Sequence, residues 1–204
     1  MGAAEQVRSD MPSRRVLIAD DDPLIRMDLA EMLAEEGFEV VGQVGDGQRA
    51  AALAKELRPD LVIMDVKMPG KDGIQAAAEI AAAQIAPVII LTAFSERDLI
   101  QRALDAGAMA YLAKPFSKAT LLPAIELAAA RYAETAALRA EIAEATQRLQ
   151  ARKVIDRAKG LLMTQAGMTE PQAFRWLKRT AIDRRTSMDT VARDVLDGPL
   201  ASAS

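Results

Sequence analysis

Five short apolar runs punctuate the first two thirds of the chain, at Val16–Ala19, Val40–Val44, Leu61–Met64, Val88–Leu91 and Met109–Leu112. Short apolar runs bounded by turn residues read as buried parallel strands. Between them lie Pro23–Glu36, Gly47–Leu57, Gly73–Ala83 and Ser95–Ala106, where apolar residues recur at helical spacing. Pro23 suits a first helical turn, and Gly37 and Gly107 suit helix ends. Ser95, with Asp98 three residues on, suits an N-cap. After Lys114-Pro115 the pattern is helical throughout. It runs from Ser117 to about Gln165, with Pro123 close enough to the start to be tolerated. Thr169 then caps a helix through about Ala181, with Glu170 and Pro171 in its first turn. Ser187 caps another through about Leu196, ended by Gly198-Pro199.

Strand–helix alternation with short connections implies a parallel sheet covered by helices on both faces. The expected class is α/β: a doubly wound, five-stranded parallel sheet of flavodoxin-like order, then a long helix and a small three-helix module. The expected divisions are a flexible tail (1–13), an α/β domain (14–133), a helical coiled-coil connector (134–151), a C-terminal module (139–198) and a disordered tail (199–204). Within the connector, Leu138, Ile142, Ala145 and Leu149 are spaced four, three and four apart, a short coiled-coil-like seam. So thin an apolar stripe suggests pairing with a second copy in a dimer; the alternative is packing against the chain's own domain.

Composition narrows the chemistry. The 204 residues contain no cysteine and no histidine. Disulfides, thiolate metal sites, Ser-His-Asp triads and the usual zinc sites are therefore excluded. A metal would need oxygen ligands, which points to a hard cation such as Mg2+. No apolar run is long enough to span a bilayer, and the N-terminal residues lack a signal-peptide pattern, so a cytoplasmic location is expected. The net charge of −3 conceals an asymmetry. Residues 1–138 carry 14 basic and 21 acidic side chains, whereas residues 139–204 carry 12 and 8. Reversal of charge between the two parts suggests two jobs, the second with a polyanionic partner.

The predicted strand ends carry the reactive groups. The first ends in Asp20-Asp21-Asp22, the third in Asp65, the fourth in Thr92 and the fifth in Lys114. Doubly wound topology brings the carboxyl ends of the strands to one edge, where such folds bind ligands. Carboxylates gathered there repel unless a cation sits among them, and Mg2+ on Asp21 and Asp65 would retain waters or substrate oxygens. Asp65 suits a carboxylate nucleophile that forms an aspartyl phosphate. Lys114 and the metal would neutralise phosphoryl charge, and the Thr92 hydroxyl could bond a phosphoryl oxygen.

Several motifs carry a family likeness. Val16-Leu17-Ile18-Ala19-Asp20-Asp21-Asp22, Met64-Asp65-Val66-Lys67-Met68-Pro69-Gly70, Leu91-Thr92-Ala93 and Tyr111-Leu112-Ala113-Lys114-Pro115 resemble the receiver domain of two-component response regulators. The likeness covers Arg15 to about Tyr132. It implies phosphorylation of Asp65 by a sensor histidine kinase. It also implies Mg2+ held by Asp20, Asp21, Asp65 and the Lys67 main-chain carbonyl, with Asp21 the more direct ligand of the acidic pair. Thr92 and Lys114 would contact the phosphoryl group, Tyr111 would be the switch aromatic, and the Lys114-Pro115 bond would be cis. Phosphatases of the haloacid-dehalogenase type also use an Asp nucleophile with Mg2+, Thr or Ser and Lys. They need a second Asp two residues after the nucleophile; here that position is Lys67. The expectation is a phosphoacceptor signalling protein, not an enzyme.

Residues 152 to 185 hold nine basic side chains against three acidic ones, an electrostatic footprint for nucleic acid or merely a solvated helix face. The linker around Arg184–Thr186 is long for a DNA-binding helix-turn-helix, and the long leading helix also fits one poorly. Ile155-Asp156-Arg157-Ala158-Lys159-Gly160-Leu161-Leu162-Met163, then Ala173-Phe174-Arg175-Trp176-Leu177-Lys178-Arg179-Thr180-Ala181, with Val191-Ala192 later, make Arg139–Leu196 similar to the ANTAR family of RNA-binding antitermination modules. That resemblance implies binding to paired stem-loops in nascent transcripts. The expected RNA contacts are Lys159, Arg179, Thr180 and Arg185, with Lys153 and Arg152 on phosphates. Phe174, Leu177 and Ala181 are expected in the core; Trp176, roughly 200° from Phe174 around the helix, is a possible base-stacking residue. The competing outputs are a DNA-binding transcription factor and a protein-interaction adaptor.

Overall fold

A computed structural model of the chain describes residues 14–93 and 97–198. The expectations for the 1–13 and 199–204 tails and for the Ser95 cap fall outside those residues. The strands are β1 (Arg15–Ala19), β2 (Glu39–Val44), β3 (Leu61–Asp65), β4 (Val88–Ala93) and β5 (Ala110–Lys114). The helices are α1 (Pro23–Glu35), α2 (Gly47–Leu57), α3 (Gly73–Ala82), α4 (Arg97–Asp105), α5 (Lys118–Gln165), α6 (Glu170–Asp183) and α7 (Met188–Asp197). The sheet is parallel in every pairing, in the order β2-β1-β3-β4-β5. This is the flavodoxin-like doubly wound order, with the reversal of strand order between β1 and β3.

Alternation along the strands sorts side chains onto two faces. Leu17, Ala19, Val62, Met64, Val88 and Ile90 pack with Ala50 and Ala54 of α2, Ile74 and Ile80 of α3 and Ala103 of α4. Val16, Ile18, Ile63, Ile89 and Leu91 face the other way, onto Leu29 and Leu33 of α1 and Leu121, Ile125 and Ala128 early in α5. Covering both faces makes the central strands apolar throughout, so β1 and β3 are buried along almost their whole length. Helix starts are fixed locally. The Asp22, Asp46 and Asp72 side chains accept the amides of Leu24, Arg49 and Gln75 and so cap α1, α2 and α3.

The chain divides into two compact units between Thr135 and Ala136, inside α5. The second unit has its own core. Ala158 and Leu162 of α5, Ala173, Leu177 and Ala181 of α6, and Val191, Ala192 and Val195 of α7 bury one another. Phe174 is not part of this core, contrary to the expected Phe174–Leu177–Ala181 face; it is 42% exposed. Steps of four from Ala173 through Leu177 to Ala181 define the buried face. Phe174 is one residue, about 100°, round from Ala173 and falls at its margin.

Candidate functional site

In the first unit β1, β3, β4 and β5 deliver their carboxyl-end residues to one rim. There Asp20, Asp21, Asp65, Lys67, Thr92 and Lys114 line a cavity of about 360 Å3. Asp65 is the last residue of β3, opposite Leu91 in the ladder. The chain then turns sharply: the Val66 amide donates to the Leu91 carbonyl at 3.1 Å, and the Gly73 amide donates to the Val66 carbonyl at 2.9 Å. Gly73 is demanded by this closure, since an added Cβ there would run into the Asp65 carbonyl oxygen. The loop thus holds Asp65 at the cavity with only 6% of its surface exposed.

One cation serves two carboxylates. Lys114 Nζ lies 2.5 Å from Asp65 Oδ1 and 2.7 Å from Asp20 Oδ2. The Lys67 amide donates to Asp65 Oδ2 at 2.6 Å. Burial pushes the Asp65 carboxyl above its ordinary range; the Lys114 hydrogen bond and charge oppose this, the neighbouring Asp20 reinforces it, and the Lys67 amide opposes it slightly. Burial alone would pull Lys114 down, but its hydrogen bonds to Asp20 and Asp65 hold it above the usual lysine range. The ammonium is therefore charged at neutral pH, and pairing does not fully offset the desolvation of Asp65.

The acidic residues of β1 divide their work. Asp20 is completely buried. Its Oδ1 accepts the Asp22 amide at 2.9 Å while its Oδ2 accepts Lys114. Asp22 serves as the α1 cap, and Asp21 stays exposed at the rim. Among the described residues no three His, Cys, Asp or Glu side chains form a ready-made metal cage. Mg2+ does not need one, because it binds through one or two carboxylates and keeps its remaining waters. With Asp20, Asp21, Asp22 and Asp65 set against Lys114 and the exposed Lys67, the rim carries surplus negative charge and oxygen donors that suit such an ion.

Thr92 is buried at the same rim, its hydroxyl donating to the Ala93 carbonyl at 3.2 Å. The Lys114-Pro115 bond is cis. Tyr111, on the edge strand β5, is 48% exposed and does not line the cavity. One support escaped sequence reasoning. Arg26 of α1 donates to the Asp20 carbonyl at 2.5 Å and braces the acidic turn; nothing in its spacing signals this. Gly73, with Pro69 and Gly70, marks the loop after β3 in the sequence; its close approach to the Asp65 carbonyl is what the structure adds.

In the second unit the expected RNA contacts separate into two kinds. Lys159 is a strut. Its side chain is 16% exposed and paired with Asp156 at 2.9 Å and Glu170 at 2.8 Å, joining α5 to the start of α6. Arg152, Lys153, Arg179 and Arg185 are exposed, and Thr180 is half-buried. Arg152 and Arg179 make only long ion pairs, 4.0 Å to Asp156 and 3.9 Å to Asp183. Arg185 has φ +51° and follows α6, while its neighbour Arg184 ties back to Asp194 of α7 at 3.1 Å.

Comparison with known proteins bears on both units. Residues 16–126 match the response regulator receiver domain, and residues 143–196 match the ANTAR domain. The transcriptional regulatory protein PdtaR of Mycobacterium tuberculosis is 64% identical over 184 residues, 90% of each chain. The signal receiver domain of a modulated diguanylate cyclase from Desulfovibrio desulfuricans superposes with a TM-score of 0.57 at 33% identity, covering 61% of this chain and 99% of that one. The receiver domain of a sensor histidine kinase from Pseudomonas aeruginosa, solved with a magnesium ion coordinated in its active site cleft, gives a TM-score of 0.50 at 34% identity, covering 55% and 93%.

Proposed function

As a member of the response regulators that join a receiver domain to an ANTAR domain, this chain is a signalling regulator that acts on RNA, and we propose that Asp65 is its phosphoacceptor and the switch that controls transcription antitermination. The observation that carries this reading is the rim itself: one nucleophilic carboxylate held by Lys114 and the Lys67 amide, with Thr92 and Asp21 on the same cavity.

An Asp65 oxygen attacks the phosphorus of a phosphohistidine on the partner kinase. The P–N bond breaks, the imidazole leaves and an aspartyl phosphate remains. This chain has no histidine, so it receives the group on a carboxylate and cannot itself be a phosphohistidine donor. Lys114 is close enough to follow the charge from the carboxylate to the phosphoryl oxygens, and the Thr92 hydroxyl can exchange its Ala93 carbonyl for one of them. Mg2+ would be held by Asp21, Asp65 and the Lys67 carbonyl, with Asp20 positioning Lys114 behind them; when bound it neutralises phosphoryl charge. Lys67 stands where a hydrolase would need an acid, so no second carboxyl there assists hydrolysis of the aspartyl phosphate.

Tyr111, exposed on β5 beside the strand that carries Thr92, is suited to move inward when the Thr92 hydroxyl shifts. The outcome we infer is dimerisation through the exposed Leu138, Ile142 and Leu149 stripe of α5, which presents two ANTAR modules to two RNA stem-loops. RNA is favoured over duplex DNA because the second unit matches the ANTAR domain, and protein readout of RNA favours exposed loop bases. The test of the acceptor is transfer of labelled phosphate from a phosphorylated histidine kinase: the wild type becomes labelled and Asp65→Ala does not. Labelling of Asp65→Ala at the wild-type level overturns the assignment.

A further inference from the structure

We propose that the outward face of α6 reads unpaired RNA bases, with Trp176 as the stacking platform and Arg175, Lys178 and Arg179 holding the adjoining phosphates. This deepens the RNA-binding reading above and rests on it. It also places the contact surface away from Lys159, whose ammonium is already committed to Asp156 and Glu170.

α6 buries one face completely, through Ala173, Leu177 and Ala181. On a helix advancing about 100° per residue, Arg175, Lys178, Arg179 and Ile182 fall on the opposite side, with Phe174 and Trp176 on its two flanks. All six are exposed, Trp176 by 39%, Phe174 by 42% and Ile182 by 65%. Aromatics make up 3% of the chain and it has a single tryptophan, so two exposed rings on one 14-residue helix are a concentration. Helical spacing sets Gln172, Arg179 and Thr180 one turn from the indole, a polar and cationic frame around a flat apolar surface.

Charge selects the occupant. Glu170 is engaged by Lys159, and Asp183 lies beside Arg179 at 3.9 Å, whereas Arg175 and Lys178 form no ion pair among the described residues. A second copy docking face to face would bring these cations against their equivalents, which is unfavourable. A polyanion with exposed aromatic rings satisfies both features: phosphates meet the cations and a base covers the indole. Stacking tolerates any base, so Trp176 contributes to affinity for loops and discriminates little among loop sequences.

The sole tryptophan supplies its own probe. The full chain, incubated with Mg2+ and acetyl phosphate, is titrated with synthetic stem-loop RNAs carrying randomised loops and with the same stems as uninterrupted duplexes. Binding is followed by RNA anisotropy and by indole fluorescence. Stem-loops are expected to bind and to quench the fluorescence, and duplexes not to quench it. Trp176→Ala should weaken stem-loop binding on the order of ten-fold without changing its salt dependence, and Trp176→Phe should recover most of the loss. Arg175→Gln and Lys178→Gln should each lower the salt slope by about one. Thermal melting of the variants checks that the module stays folded. Stem-loop binding by the wild type with an unquenched indole and an unchanged Trp176→Ala affinity overturns the α6 surface but leaves RNA binding standing. Failure of the wild type to bind any of these RNAs overturns both.

Discussion

Asp65 is held between burial, which disfavours its charge, and Lys114, which favours it, and burial prevails. The folded-state pKa is therefore raised above the unfolded value of about 3.9. Stability from this group is fully present below that value and is lost as pH rises through the folded pKa. In metal-free buffer Asp65→Asn should leave the melting temperature nearly unchanged in acid and raise it progressively towards neutral pH; a pH-independent difference would contradict the cause assigned. Lys114→Met removes the one cation from two buried carboxylates. Breaking a buried pair costs about 3–5 kcal/mol, and the 22% exposure of Lys114 argues for the lower end. Denaturant unfolding should show that loss, and adding Asp65→Asn to the same chain should restore part of it. Lys159→Gln should lower the melting temperature of the second unit while leaving the salt slope of RNA binding unchanged; a decrease of about one in that slope would return Lys159 to the RNA contacts.

Period and punctuation made the elements legible. The apolar runs at residues 16–19, 61–64 and 88–91 are strands because helices cover both sheet faces, so no polar alternation blurs them. Ladder bonding then carried three strands onto polar residues, Asp65 in β3, Thr92 in β4 and Lys114 in β5. Those residues were expected at strand ends because topology alone gathers such ends at one rim. What remained hidden depends on which partner a long side chain reaches across a turn or between two elements. Arg26 reaching the Asp20 carbonyl and Lys159 reaching Glu170 leave no local pattern, and the marginal position of Phe174 follows from a one-residue offset in the buried face. α7 illustrates a local device that can be tested. The Ser187 hydroxyl, chiefly, and then Arg193 hold the Asp189 carboxyl below its usual range. Its stabilising effect is present above the unfolded pKa and is lost as pH falls through the folded one. Asp189→Asn should therefore melt earlier than the wild type at neutral pH and converge with it in acid.

For the molecule as a whole, the division at Thr135/Ala136 separates a unit that accepts phosphate from one that carries the basic surface. The stretch from Ala136 to Gln150 of α5 is exposed at every residue, including Leu138 at 57%, Ile142 at 58% and Leu149 at 62%. Large apolar residues repeated along an exposed helix face suit association. Replacing the three with serine should hold the phosphorylated protein as a monomer in sedimentation equilibrium while leaving phosphate transfer to Asp65 intact. No helix among the described residues is long and apolar enough to cross a membrane.

Control of RNA binding by one carboxylate is tested most directly by measuring equilibrium binding of the full chain to stem-loop RNA before and after phosphorylation, beside Asp65→Asn treated identically. Phosphorylation is expected to tighten binding by the wild type and to leave Asp65→Asn at the unphosphorylated level. Equal affinity of the wild type in both states, or the same gain in Asp65→Asn, would contradict a switch at Asp65.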